Sequence, residues 1–71
     1  MLKIVEGGFC PTTYEFNSLA EFIQFYNRAI VSRGCGDDRL LYVILDDMVL
    51  YNAFESSRTL TYSELFDRLF N

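Results

Sequence analysis

Six consecutive apolar side chains, Leu40-Leu41-Tyr42-Val43-Ile44-Leu45, constrain the fold of this chain more than any other feature. The run is far short of the ~20 residues that a membrane-spanning helix needs. Its length suits a β-strand, and a strand sends alternate side chains to opposite faces. A strand apolar on both faces belongs inside a sheet, covered on both sides or pressed against a partner. Arg39 leads into it, and Asp46-Asp47 reads as the turn that ends it. The loop lacks the glycine that most two-residue hairpin turns use. Met48 to Phe54 then returns as a second strand. Strict alternation sets Val49, Tyr51 and Ala53 on one face and Met48, Leu50, Asn52 and Phe54 on the other.

The rest of the chain supplies what such a strand needs. Leu2 to Glu6 and Thr12 to Phe16 alternate as strands, separated by Gly7-Gly8 and by Pro11, and predict a hairpin with a long or bulged loop. Ser18 with Glu21 forms a capping box, followed by Leu19, Phe22, Ile23, Tyr26 and Ile30 at helical spacing. This helix is expected to end near Ser32 or Arg33, where Gly34 and Gly36 bracket Cys35 and supply a C-cap. Thr61 with Glu64 repeats the box, Leu60 can staple onto Leu65, and Tyr62, Leu65, Phe66, Leu69 and Phe70 form the second stripe. Glu64 and Arg68 are spaced for an i,i+4 ion pair.

The order is ββαββα, which predicts an α+β two-layer sandwich: a four-stranded, mainly antiparallel sheet with two amphipathic helices. A length of 71 residues allows one domain, 1–71. Hydrophobic residues make up 51% of the chain, enough for a core without staples and too many for disorder. Two helices on one side of the sheet would leave its other side bare. The Met start and helical end are those expected of a complete small open reading frame. No signal peptide is apparent, so the expected location is the cytoplasm, with Cys10 and Cys35 as reduced thiols.

Composition narrows the chemistry. The chain has no histidine, the usual neutral-pH proton shuttle and metal ligand. Neither cysteine has a base to activate it, and Cys35 follows a helix C-terminus, whose dipole disfavours a thiolate. Asp37-Asp38 and Asp46-Asp47 lie at the two ends of the strand, ~20–25 Å apart, and lack an EF-hand pattern. The glycines match no phosphate-binding motif. These observations predict a protein that is not an enzyme and holds no metal or cofactor. A net charge of −4, with −3 of it between residues 37 and 47, argues against direct nucleic-acid binding.

Seven Phe, five Tyr, five Arg and a single Lys match the composition of protein interfaces. Phe25 lies about 120° off the first helical stripe, which makes it either an exposed anchor or a ring tucked beneath the Phe9–Thr12 loop. Phe9, Tyr14 and Tyr51 are the next candidates, with Asp37, Asp38, Asp46 and Asp47 steering toward a basic partner. The sequence therefore predicts a small acidic protein that inhibits or regulates a larger one, including nucleic-acid-handling enzymes. In size and charge alone it resembles virus- and mobile-element-encoded inhibitors. A self-associating homodimer built on the bare sheet face, which carries part of Leu40–Leu45 with Val49, Tyr51 and Ala53, is the second reading.

Overall fold

The structure is a computed structural model and describes residues 1–8 and 10–71. Strands β1 (Leu2–Glu6) and β2 (Thr12–Phe16) come first, followed by helix α1 (Leu19–Phe25), which widens into a π-helical stretch over Tyr26–Val31. Strands β3 (Leu40–Leu45) and β4 (Met48–Asn52) precede helix α2 (Tyr62–Phe70). The four strands form one antiparallel sheet in the order β2-β1-β3-β4, an α+β arrangement with two helices. The apolar run thus lies inside the sheet, between β1 and β4. Both β2 and β3 run antiparallel to β1, so α1 carries the chain across β1.

Both helix starts follow from local chemistry. The Glu21 amide donates to Ser18 Oγ at 3.3 Å, while the Glu21 carboxylate accepts from the Asn17 amide at 2.9 Å. At α2 the Glu64 amide donates to Thr61 Oγ1 at 3.3 Å, and Thr61 Oγ1 donates back to the Glu64 carboxylate at 3.2 Å. Leu60 and Leu65, the expected staple, are both fully buried. The first helix ends as its glycine demands. Gly34 takes a φ of 69°, and the Cys35 amide donates to the Ile30 carbonyl at 2.9 Å.

Register assigns the faces. Leu2, Ile4, Phe16, Val43 and Tyr51 share one side and are buried with Phe22 and Ile30 of the first helix and Leu60, Tyr62 and Leu65 of the last segment. Two cross-strand rows lie on the opposite, outer face. One is Glu15–Lys3–Ile44–Val49 and the other Thr13–Val5–Tyr42–Asn52.

Strict alternation fails on β4. Val43 pairs with Tyr51 and Ile44 with Val49, so Leu50 is an extra residue in a β-bulge. Val49 and Tyr51, expected on one face, are consequently split: Val49 is outside and Tyr51 in the core. The strand also ends earlier than Phe54. Asn52 closes it with an Asx-type turn, its Oδ1 accepting from the Phe54 amide at 3.0 Å and its carbonyl from the amides of Glu55 (3.2 Å) and Ser56 (3.0 Å).

Asp46 and Asp47 form the β3–β4 turn, with φ of 49° and 66°. Two positive values are what a type I′ loop requires, and they are costly for residues with a Cβ. Asp46 is tied down, its Oδ1 2.7 Å from the Met1 ammonium and its amide donating to the Met1 carbonyl at 3.0 Å. Asp47 has no such compensation among the hydrogen bonds of the described residues. Asp47→Gly is therefore expected to stabilise the protein by about 0.5–1 kcal/mol, read as a higher urea midpoint. A lower midpoint would mean that the Asp47 carboxylate itself supports the turn.

Candidate functional site

The rings expected at a contact surface turn mostly inward. Phe25 is half-buried, with its centroid 4.8 Å from Tyr14, 5.1 Å from Phe16 and 6.0 Å from Tyr62. It is therefore not an exposed anchor. The physical reason is the change of helical pitch after Phe25. Widening the turns to i→i+5 bonds lets Phe25 and Ile30, five residues apart, face the same way. Tyr14 lies on the inner face of β2 and is half-buried beneath Phe25. Tyr51 is only 7% exposed, and its hydroxyl donates to the Arg58 carbonyl at 2.7 Å. It offers no ring to a partner. Phe9 lies outside the described residues.

Eight rings form one connected cluster: Tyr14, Phe16, Phe22, Phe25, Tyr26, Tyr62, Phe66 and Phe70. The closest pair is Tyr26 and Phe66, stacked at 4.4 Å. Gly36 permits a close approach beside it, because a Cβ there would stand 2.5 Å from Ser63 Oγ, which accepts from the Tyr26 hydroxyl at 3.3 Å.

Tyr62 is a strongly perturbed titrating group. Its ring is fully buried and its hydroxyl donates to Glu6 Oε2 at 2.8 Å. Burial first, then the hydrogen bond to Glu6 and its charge, push its pKa far above the ordinary 10.0. The unfolded chain releases this proton near pH 10 whereas the folded protein keeps it. The stabilisation tied to that difference is complete below about pH 10 and is lost as pH rises beyond it. Urea midpoints between about pH 9 and pH 11 should therefore fall less steeply for Tyr62→Phe than for the parent. Parallel curves would contradict this.

The four aspartates are exposed at opposite ends of β3 and do not converge. Asp38 serves the backbone, with its carbonyl accepting from the Tyr62 amide at 3.3 Å. Asp46 and Asp47 border a shallow depression of about 560 Å³ on the outer face, lined also by Met1, Lys3, Glu15 and Ile44. Cys10 is exposed, Cys35 half-buried, and both are free thiols. Among the described residues no three His, Cys, Asp or Glu side chains gather as a metal-ligand set, and no helix is long and apolar enough to cross a membrane. Glu64 and Arg68 form no ion pair, since the Glu64 carboxylate lies against Thr61 instead.

Sequence reasoning missed Phe54 and Met48 among the side chains that are exposed. Phe54 is 84% exposed, Met48 65% and Val49 50%. The signal for Phe54 was Asn52, two residues before it, because an Asx turn ejects the chain from the sheet. Val49 was expected on the bare sheet face and lies there, but without Tyr51, which the bulge turns into the core. Comparison with protein-family models, curated proteins and solved structures finds no match.

Proposed function

We propose that this chain is a protein-binding module that inhibits or regulates a larger protein by occupying a basic surface on it. In this reading the helices and sheet form a two-layer sandwich, and the contact surface is the outer face that the helices leave uncovered. The observation that carries it is the pattern of that face. Val5, Tyr42, Ile44 and Val49 make an apolar patch that runs from β1 across β3 to the β4 edge, with Thr13 and Glu15 on its β2 side and Lys3 and Asn52 beside it. An apolar patch flanked by polar side chains suits a protein interface. Asp46 and Asp47 stand at the edge of the face and speed encounter with a cationic target without adding much affinity. Phe25 and Tyr14 support it from the core side and touch no partner.

The binding needs no chemistry of its own, and the chain acts as a non-enzyme. The cytoplasm suits it, because Cys10 and Cys35 remain thiols there. The test is capture by tagged protein from lysate of the source cell, with and without nuclease, alongside light scattering. The expected result is one protein in stoichiometric amount, insensitive to nuclease, with a bait that is monomeric alone. A second reading rests on β4, an edge strand with Met48 and Val49 exposed and one backbone edge unpaired. It is self-association, and a bait at dimer mass that recovers only itself would replace the first reading with it.

A further inference from the structure

A half-open apolar cavity of about 370 Å³ lies on the core side of the sheet, away from the proposed contact face. Six leucines and one arginine line it: Leu19 from α1, Leu45 and Leu50 from the β3–β4 hairpin, Leu60, and Leu65, Arg68 and Leu69 from α2. Leu60 and Leu65 are fully buried, the other four leucines are half-buried, and Arg68 is exposed. The β4 bulge is what brings Leu50 here, because strict alternation would have turned it outward. The Arg68 guanidinium has no carboxylate within ion-pair distance among the described residues.

We propose that this cavity binds a small amphiphilic carboxylate from solution, of the medium-chain fatty-acid class, with its tail against the leucines and its head group on Arg68. The volume falls in the range of small-molecule sites, about 300–1,000 Å³. A leucine lining offers water no hydrogen-bond partners, so an apolar tail displaces nothing that was well held. The single polar contribution is a cation, and a guanidinium is shaped for bidentate recognition of a carboxylate. A neutral apolar ligand would leave that charge unused, and an ammonium would be repelled by it.

The proposal is independent of the contact-face reading, and its test uses the intact chain with hexanoate, octanoate, decanoate and octanol as probes, followed by leucine methyl NMR. Octanoate is expected to give saturable shifts confined to Leu19, Leu45, Leu50, Leu60, Leu65 and Leu69. Each added methylene should tighten binding by up to about fourfold. Arg68→Gln should weaken octanoate by about three- to tenfold and leave octanol unchanged. Leu50→Trp, which fills the cavity, should abolish both responses. If that variant fails to fold, the Arg68→Gln comparison decides alone. Absence of saturable shifts, shifts spread over the whole molecule, or octanoate binding indifferent to Arg68 would each overturn the proposal. Loss of the captured target protein by folded Leu50→Trp, without any octanoate response in the parent, would assign the cavity to a partner's side chain instead.

Discussion

Phe22→Ala is expected to leave the chain unfolded in buffer at room temperature. Phe22 is 0% exposed. Its centroid lies 5.6 Å from Phe16, 6.5 Å from Phe25, 6.0 Å from Tyr26, and 6.4 Å from both Phe66 and Phe70. These separations fall within the 4.5–7 Å range in which rings attract beyond simple burial. Phe22 is therefore where β2, α1 and α2 meet, and a cavity there loosens all three. Truncating a buried Phe to Ala costs about 3–5 kcal/mol. A single core below ~80 residues rarely supplies more than about 3–5 kcal/mol in total. The loss equals the whole stability, so the variant should show no cooperative urea transition by far-UV circular dichroism. Phe54→Ala is the matched control. Phe54 is 84% exposed, and surface changes of this kind stay within about 0.5 kcal/mol. A Phe22→Ala protein with the parent's urea midpoint would show that the ring cluster is not what holds the fold.

The second large effect concerns binding. Ile44→Lys together with Val49→Lys should abolish capture of the target while leaving the protein folded. The two residues face each other across β3 and β4 in the apolar patch of the outer face. Placing two ammonium groups there opposes a basic partner and desolvates charge without compensation. Truncating one central hot-spot residue costs 2 kcal/mol or more. The double charge variant should thus weaken binding by at least about a hundredfold. Neither side chain is fully buried, so the fold should survive, which circular dichroism checks. Asp46→Lys is the graded companion. It should slow association and reduce its salt dependence rather than abolish binding. Undiminished capture by the Ile44/Val49 variant would remove the outer face from the account, wherever the target then bound.

The sequence was most legible where structure is decided locally. Ser18/Glu21 and Thr61/Glu64 mark the helix starts because a capping box uses side chains three residues apart. Gly34 marks the end of the first helix because a positive φ falls there. The inner position of β3 was legible from its six apolar residues, since a run apolar on both faces is commonest in strands inside a sheet. The placement of individual side chains was less legible, and for one reason in three places. Each failure is a change of period. Alternation skips at Leu50, so Val49 and Tyr51 separate. The helical pitch widens after Phe25, so a ring off the apolar stripe turns inward. The strand stops at Asn52, so Phe54 projects into solvent. The first two are settled by tertiary packing and the third by the Asn52 turn, and a pattern read at constant period registers none of them.

Aromatic content was informative about amount rather than place. Eight rings are joined in the cluster between the sheet and helices, where they compensate for the small core of a short chain. What faces outward in the two outer rows is three aliphatic and four polar side chains, with Tyr42 the one ring. The abundance of Phe and Tyr, read as a sign of sticky surface, is better explained as internal packing.

The central claim is that the outer face of the sheet, and not the aromatic side, meets the partner. The most direct measurement is amide hydrogen exchange, residue by residue, of the chain alone and with the captured target. The account predicts added protection at Val5, Tyr42, Ile44, Val49 and the Asp46–Asp47 turn, with α1 and α2 unchanged. Protection confined to Leu19–Val31 and Tyr62–Phe70, with the outer rows unaffected, would contradict it.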